Sequence, residues 1–321
     1  MKIIENADLS EILWYKIGGR AKYLLEVSSK EDILAALSLT KEKHIGKIFI
    51  CGLGANLLFT DEYFDGAVIR FVPKKEKQIT LIEGNKLEVY AGELLDRVIT
   101  IGFDLNLIGL AWAGGLPGTV GAAVRGNVGA FGGEIKDVIE SVDVVRLESS
   151  YQKIETLTKE ELAFAYRTSS IKIPRRMIVL SARFVLHPAS AYELEKAKEV
   201  YFDHIAYRKE NHPNSFPNSG SVFKNIARKE QVGKILAVYP DIQELVNGKW
   251  HGKVSMGYLN NLLGFSGLTI GGAKVSEQHA NFIDNIGHAK ATDVIAIIET
   301  IQRKFEETFD FIPEPEVEIV R

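Results

Sequence analysis

The chain has 321 residues, of which 46% are hydrophobic, and 39 basic against 42 acidic residues leave a formal net charge of −3. That length supports two or three packed domains, and the balanced charge excludes a global electrostatic footprint for nucleic acid. Cys51 is the only cysteine, which excludes an intrachain disulfide and a thiolate metal cluster. No stretch reaches the roughly 18 apolar residues that span a bilayer, and the first residues lack an apolar signal core. We therefore expect a cytoplasmic protein without membrane insertion.

The N-terminal part of the chain has the pattern of a βαβ unit. Residues 21–27 and 47–51 read as strands. Ser29 is placed to cap a helix whose apolar positions recur at helical spacing over residues 33–40. Residues 67–71 add a further strand, and the polar run that follows them predicts a boundary.

The remaining pattern predicts an α+β protein of several regions. Strands near residues 142–147 and 178–184 precede a charged helix over 191–209. A helix near the C-terminus carries an apolar stripe over 294–305, and the tail over 311–320 reads as an extended strand. We predict four regions with these bounds: 1–73, 74–206, 207–309 and 310–321.

The most unusual segment is glycine-rich and nearly uncharged. Residues 114–133 hold eight of the chain's 28 glycines. Because glycine costs conformational entropy, a run this dense indicates that the backbone closely approaches a ligand, and bare N–H groups can then bind phosphates. The alternative is a set of tight turns between buried strands.

A second glycine segment follows the strand predicted at residues 47–51. Gly52 and Gly54 resemble the start of a dinucleotide fingerprint, but Leu57 stands where a third glycine is needed. An ordinary dinucleotide-binding motif is therefore poorly supported. Two glycine segments instead favour one long diphosphate-bearing ligand held from two sides.

Two polar clusters are candidates for binding or catalysis. Arg167 follows Tyr166, and its planar guanidinium suits an anionic ligand, although a surface salt bridge fits the pattern equally well. Ser221 lies in a Gly-Ser turn that is not a nucleophile elbow. With Lys224 and Asn225 it offers a hydroxyl, an ammonium and an amide to one ligand, or it forms an ordinary polar turn.

Glu316 and His279 are further candidates. Glu316 follows a proline near the end of the chain, where a carboxylate by itself is most often solvated. His279 has no second histidine or cysteine at metal-ligand spacing, so we expect no metal site. A packed structural histidine is the alternative to a binding role for His279.

Taken together, these segments resemble the UDP-N-acetylenolpyruvoylglucosamine reductase family, the flavoenzymes of early peptidoglycan synthesis. The resemblance extends over nearly the whole chain and depends on the order and spacing of the motifs. The short path from Arg208 to Ser221 is similar to the type that lacks an inserted tyrosine-bearing loop. The motifs that carry the resemblance are residues 14–21, 52–58, 116–123, 166–167, 220–225, 275–282 and 315–317.

The resemblance implies an α+β, FAD-binding fold of the vanillyl-alcohol-oxidase (PCMH) class. It implies FAD-binding subdomains over 1–73 and 74–206, a C-terminal α+β substrate domain over 207–309, and a terminal strand over 310–321 that returns to the active site. FAD is implied to bind non-covalently, with NADPH as the hydride donor. The residues implied to bind FAD are Gly52, Leu53, Gly54, Ala55, Asn56, Leu57, Leu58, Pro117, Gly118, Thr119, Gly121, Ala122, Ala123, Asn127 and Gly129.

The resemblance also implies a substrate, UDP-N-acetylglucosamine enolpyruvate, and its reduction to UDP-N-acetylmuramate. Ser221 is implied to protonate the enolate formed by hydride transfer, and Arg167 and Glu316 are implied to stabilise that enolate. The residues implied to contact the substrate are Tyr166, Lys224, Asn225, Gln278 and His279.

Two other functions stay open. A flavin oxidase or dehydrogenase of another small molecule could use the same fold. Cys51 lies in a predicted strand and the glycine segments contain no histidine, which argues against covalent flavin. A non-catalytic nucleotide-binding relative is the second alternative, and the joint presence of Arg167, Ser221 and Glu316 argues against it. The oligomeric state is left open.

Overall fold

A computed structural model describes residues 1–147, 153–172 and 177–321. The strands, in chain order, are β1 (Lys2–Asp8), β2 (Arg20–Val27), β3 (Ile48–Cys51), β4 (Leu57–Phe59), β5 (Phe64–Phe71), β6 (Ile79–Glu83), β7 (Lys86–Tyr90), β8 (Leu107–Ile108), β9 (Gly129–Ala130), β10 (Gly133–Glu134), β11 (Ile139–Arg146), β12 (Ile154–Thr158), β13 (Met177–Val185), β14 (His187–Pro188), β15 (Thr269–Ile270), β16 (Ala273–Val275), β17 (Ile283–Asn285) and β18 (Glu318–Val320). The α-helices are α1 (Lys30–Glu42), α2 (Leu95–Asp104), α3 (Val120–Gly126), α4 (Ala191–Asn211), α5 (Lys229–Val238), α6 (Gln243–Asn247), α7 (Met256–Leu262) and α8 (Ala291–Phe309). Single 3-10 turns cover Leu9–Glu11, Ala111–Ala113, Ile135–Asp137 and Pro240–Ile242.

The chain divides into two compact units, each built from discontinuous segments. The first unit comprises Met1–Ala7, Ala21–Leu53 and Phe64–Glu210. The second unit comprises Asp8–Arg20, Gly54–Tyr63 and Asn211–Arg321. The four regions expected from the sequence stay a prediction.

The first sheet of the first unit has the strand order β1-β2-β5-β3, with β5 parallel to both β2 and β3. Helix α1 connects β2 to β3, as the βαβ pattern predicts. The Ser29 hydroxyl accepts a hydrogen bond from the Asp32 amide at 3.2 Å, which confirms the predicted N-cap. The buried residues of α1 are those of the predicted stripe: Ile33, Ala36, Leu37 and Thr40.

The second sheet of the first unit is antiparallel, with the order β12-β11-β13-β7-β6. Strand β13 is buried over most of its length, because helix α3 packs against it. Burial on both faces explains why β13 is a nearly continuous apolar run in the sequence. Strand β7 ends at Tyr90, and the residues after it contact the glycine-rich segment.

The second unit combines a three-stranded antiparallel sheet, β15-β16-β17, with helices α5 to α8. The apolar stripe of α8 is confirmed, since Val294, Ile298, Ile301 and Phe305 are all buried. The C-terminal strand β18 pairs with β4 in parallel. It is shorter than the predicted strand over 311–320, because the proline nitrogens at 313 and 315 carry no hydrogen to donate to a ladder.

Within the described ranges, none of the helices has both the length and the apolar character needed to cross a membrane. The same residues contain no cluster of three or more histidine, cysteine, aspartate or glutamate side chains that could hold a metal ion.

Candidate active site

The two glycine segments meet in the first unit. Gly52 directly follows β3, and a Cβ atom on it would lie 2.7 Å from the Thr119 Oγ1 atom and 3.5 Å from the Ala122 Cβ atom. Thr119 is 1% exposed, so it has little room to move away. Glycine is therefore required at residue 52 by close approach of the second segment.

Backbone hydrogen bonds fix the start of α3 against the residues that follow β7. The Leu95 amide donates to the Gly118 carbonyl at 3.1 Å, and the Gly121 amide donates to the Ala91 carbonyl at 2.8 Å. Between them the Glu93 carboxylate, 1% exposed, accepts hydrogen bonds from the Gln78 and Leu94 amides and from Arg97. The backbone at Gly118 and Gly121 is thus fixed by hydrogen bonds to the residues that follow β7.

Another part of this segment faces open space. Around Gly118 and Gly126, apart from their own neighbours in the chain, none of the residues that the structure describes has an atom within 4 Å of the position that a Cβ atom would take. Backbone that is bare on one side and anchored on the other can approach a diphosphate closely. The residues present therefore fit a flavin nucleotide, as the sequence predicts.

Asn127 holds the end of the glycine-rich segment through its side chain. It is fully buried, has a left-handed φ of 43°, and follows the last residue of α3. Its Nδ2 atom donates to Glu134 Oε2 at 2.9 Å and to the Ala165 carbonyl at 3.0 Å, and its Oδ1 atom accepts from the Lys136 amide at 3.1 Å. The Asn127 side chain is therefore bound to protein groups.

Tyr166 and Arg167 are the central residues of a tight turn that Ala165 and Thr168 close with two reciprocal backbone hydrogen bonds of 3.1 Å. Arg167 has a φ of 57°, a left-handed conformation that is uncommon for a residue with a Cβ atom. Its guanidinium lies 5.1 Å from the centre of the Tyr166 ring, and its Nη2 atom donates to the Gly129 carbonyl at 2.6 Å. The structure thus joins a predicted catalytic residue to a predicted flavin-binding residue.

In the second unit, the segment around Ser221 lies beside the C-terminal tail. The Glu316 amide donates to the Val222 carbonyl at 2.7 Å, and the Lys224 amide donates to the Glu314 carbonyl at 3.0 Å. The Ser221 hydroxyl is half-buried and makes no hydrogen bond with any residue that the structure describes. Two of the predicted catalytic residues, 95 positions apart in the chain, are therefore brought together.

The turn before Ser221 is held by the half-buried Asn218 and the buried Asp284. Gly220 has a φ of 77°, and its amide donates to Asn218 Oδ1 at 3.1 Å. The Asn218 Nδ2 atom donates in turn to Asp284 Oδ1 at 3.1 Å. Burial raises the pKa of Asp284 above its ordinary value. These contacts orient the chain as it enters the Ser221 segment.

The residues from Gly54 to Leu58 also contact the C-terminal tail. The Asn56 Nδ2 atom donates to the Glu316 carbonyl at 3.1 Å, and the Asn56 carbonyl accepts from the Glu318 amide at 3.1 Å. Leu57 then pairs with Glu318 in the β4–β18 ladder. Glu316 is therefore bonded through its backbone on both sides, to Val222 and to Asn56.

The predicted substrate contacts have different surroundings. Lys224 forms an ion pair with Glu314, and its side chain is 16% exposed. Asn225 is exposed, and its Oδ1 atom accepts from the Met256 amide at 3.1 Å. Gln278 is exposed, whereas His279 is half-buried with its Nδ1 atom 3.3 Å from the Asn281 amide. Burial lowers the pKa of His279, which favours its neutral form.

Sequence reasoning missed two residues that shape these sites. Glu93 lies in no recognised motif, and only the rarity of a fully buried carboxylate identifies it. Asn281 is 3% exposed and contacts the residues next to Ser221, although only its neighbours Gln278 and His279 were selected as candidates. The signal available in the sequence was a polar residue, Asn281, between apolar residues just before strand β17.

Comparison with known proteins supports the fold and the cofactor. A family model described as "FAD binding domain" matches residues 21–154, which confirms the predicted α+β FAD-binding fold of the vanillyl-alcohol-oxidase class and FAD as the cofactor. A second model, described as "UDP-N-acetylenolpyruvoylglucosamine reductase, C-terminal domain", matches residues 212–320.

Individual relatives match over the full length. The chain is 33% identical to the UDP-N-acetylenolpyruvoylglucosamine reductase of Caldicellulosiruptor bescii, over 100% of this chain and 91% of the relative. It is 34% identical to that of Desulforamulus reducens, over 98% and 92% of the two chains. The crystal structure of the reductase from Thermus caldophilus matches with a TM-score of 0.73 and 28% identity, over 100% of this chain and 98% of that one. The chain is therefore an FAD-containing oxidoreductase and belongs to the UDP-N-acetylenolpyruvoylglucosamine reductase family.

Proposed function

We propose that the protein reduces UDP-N-acetylglucosamine enolpyruvate to UDP-N-acetylmuramate, with NADPH as the hydride donor, in peptidoglycan precursor synthesis. Relatives that cover the whole chain carry the name of this reaction. The observation that carries the assignment to residues is the 2.7 Å hydrogen bond from the Glu316 amide to the Val222 carbonyl. It holds the backbone of Glu316 against that of Val222, the residue after Ser221, in one unit.

FAD, when bound and reduced by NADPH, would supply a hydride to the vinyl CH2 carbon of the substrate. Negative charge then develops on the neighbouring carbon and its carboxylate. Arg167 stabilises this enolate charge through its guanidinium, the usual large electrostatic contribution to such a reaction. The hydrogen bond from Arg167 to Gly129 and the tight turn around Arg167 support this role, because they limit the positions that the guanidinium can take.

Ser221 donates its hydroxyl proton to the carbanionic carbon, and solvent restores that proton. A hydroxyl is a weak acid towards ordinary bases, but an enolate is basic enough to accept its proton. The Ser221 hydroxyl makes no bond to a described residue that it would first have to break. Glu316 orients the reacting group, and its backbone bonds to Val222 and Asn56 support a fixed position.

The remaining predicted residues have supporting roles in this proposal. Gly52 and Thr119 form the close contact at which the two glycine segments hold the flavin. Asn127 orders the end of the second segment through its side-chain bonds. Lys224 meets the substrate diphosphate, for which it exchanges its ion pair with Glu314. Tyr166, Asn225, Gln278 and His279 complete the proposed substrate contacts.

The test is anaerobic oxidation of NADPH by the FAD-loaded protein, with and without the enolpyruvyl UDP-sugar. Sustained turnover only in the presence of the sugar supports the proposal. Oxidation of one NADPH per flavin, followed by a stop whether or not the sugar is present, rejects the substrate. Reoxidation of the flavin by oxygen alone would instead indicate an oxidase, and a flavin that NADPH fails to reduce would indicate a binding protein.

A further inference from the structure

Asn281 acts as a strand partner for the residues that follow Ser221. Its Oδ1 atom accepts from the Phe223 amide at 3.0 Å, and its Nδ2 atom donates to the Phe223 carbonyl at 2.9 Å. Its own carbonyl accepts from the Val222 amide at 2.8 Å. One residue thus satisfies three of the four backbone polar groups of Val222 and Phe223.

The other side of the same segment is bonded to the C-terminal tail. The Val222 carbonyl accepts from the Glu316 amide at 2.7 Å. Val222 and Phe223 are therefore held from both sides, by Asn281 and by the tail. Ser221 precedes Val222 directly, so bonds to the Val222 backbone restrain the position from which the Ser221 side chain extends.

The contact between Asn281 and Phe223 is dry. Asn281 is 3% exposed and Phe223 is 1% exposed. Water is therefore not available to replace either bond, and an unpaired amide or carbonyl would cost its full desolvation penalty. The pair also needs one donor and one acceptor in a fixed orientation, which an asparagine side chain provides and an aspartate does not.

We propose that Asn281 is a positioning residue, which holds the Ser221 hydroxyl in line for proton transfer through the backbone of Val222 and Phe223. This inference rests on the proposed function, because it assigns Asn281 to the proton-donor step. A displacement of about 1 Å at a reacting group can slow a reaction by about 10²-fold, so loss of this support has a measurable cost.

The experiment compares Asn281→Ala, Ser221→Ala and the double variant in the FAD-loaded enzyme. Flavin reduction by NADPH and flavin oxidation by the enolpyruvyl sugar are measured separately by anaerobic stopped flow. We expect Asn281→Ala to slow only the oxidation step, by about tenfold or more. Because Asn281 acts through Ser221, we expect the double variant to be no slower than Ser221→Ala within about twofold.

A matched control is Asn285→Ala. Asn285 is also a buried asparagine, at 8% exposure, and its side chain bonds to the Tyr15 carbonyl and to the Gly287 and Ala289 amides. It makes no side-chain bond to the Ser221 segment. We expect it to lose stability without a selective effect on the oxidation step.

A second readout does not depend on turnover. We expect amide hydrogen exchange in residues 221–225 to become faster in flavin-free Asn281→Ala and unchanged in Asn285→Ala. Asn281→Gln keeps both the donor and the acceptor and serves if the alanine variant does not fold, because its longer side chain displaces the amide from the Phe223 backbone.

Three outcomes would overturn the inference. Multiplication of the two single effects in the double variant would show that Asn281 acts independently of Ser221. Equal slowing of both half-reactions, or unchanged exchange over residues 221–225, would show a general structural role. If the sugar oxidises the reduced flavin of Ser221→Ala at the wild-type rate, Ser221 is not the proton donor, and the proposed function of that residue is rejected. That result differs from one in which Ser221→Ala is slow and Asn281→Ala is not, which rejects only the role of Asn281.

Discussion

The Nη2 atom of Arg167 donates to the Gly129 carbonyl at 2.6 Å. Arg167 occupies the left-handed region at a φ of 57° in a turn closed by Ala165 and Thr168. A strained backbone conformation at a residue with a Cβ atom costs about 1–3 kcal/mol and persists where the surroundings enforce it. This hydrogen bond joins the Arg167 side chain to the glycine-rich segment at Gly129. The position of the guanidinium therefore depends on the position of that segment.

Arg167→Lys should slow substrate-dependent flavin oxidation by about 10²- to 10³-fold, because an ammonium cannot bond Gly129 and an enolate with the same planar geometry. Flavin reduction by NADPH should change little. Stopped-flow measurement of both steps checks the prediction. Arg146→Lys is the control, since its pair with Glu155 at 2.7 Å is exposed and surface pairs contribute little. A similar rate loss in both variants would contradict the role of Arg167.

Ser221→Ala should leave NADPH-driven flavin reduction nearly intact and slow substrate reduction by about 10²-fold or more, because the proton donor is removed. The exposed Ser215, in the same connecting loop, provides the control variant Ser215→Ala. Rates are again measured for each half-reaction. Equal slowing of the two half-reactions would show that the hydroxyl is not the acid.

Lys224→Met should raise the KM for the sugar substrate by about tenfold with a smaller change in kcat, because the ammonium binds the diphosphate in the ground state and the transition state alike. Lys234→Met is the matched control in the same unit, where Lys234 pairs with Asp310 at 2.8 Å. Steady-state kinetics distinguishes the two variants. An unchanged KM in Lys224→Met would remove Lys224 from the substrate contacts.

Gly52→Ala should weaken FAD binding by about tenfold or more, because the added Cβ atom would push Thr119 and the second glycine segment away. Gly233→Ala is the opposite case. Gly233 is an exposed residue inside helix α5 of the second unit with open space at its Cβ position, so the change should stabilise the protein by about 0.5–1 kcal/mol without affecting FAD. Flavin fluorescence titration and urea unfolding test both variants. Wild-type FAD affinity in Gly52→Ala would show that the contact with Thr119 can relax.

The free energy of unfolding should decrease as the pH is lowered below about 6.5, because burial lowers the pKa of His279 in the folded state. The unfolded chain then binds the proton at a higher pH than the folded chain, so stability is lost as pH falls from the unfolded pKa through the lower folded pKa. His279→Gln should reduce this slope between about pH 7 and 5 in urea unfolding. The exposed His288 gives the control His288→Asn. An unchanged slope in His279→Gln would assign the pH dependence to other groups.

Local patterns in the sequence predicted the regular elements well. The cap at Ser29 follows from a hydroxyl placed just before the helix. The buried positions of α1 and α8 follow from spacing, because one face of a helix recurs every 3.6 residues. The tail was the exception. The predicted strand over 311–320 forms only at Glu318–Val320, because the chain bends at residues 316 and 317 and because ladder pairing depends on a partner strand and on available N–H groups.

The sequence by itself determined the local features of this protein, which are its glycine segments, its helices and its family resemblance. It also determined the chemical groups available in the candidate sites. Only the tertiary structure decided which groups meet. Gly52 touches Thr119, Glu316 bonds beside Ser221, and Asn281 bonds Phe223 across 58 positions of the chain. Such contacts depend on how distant segments pack and on which buried polar groups remain to be satisfied, and neither has a periodic signature in the sequence.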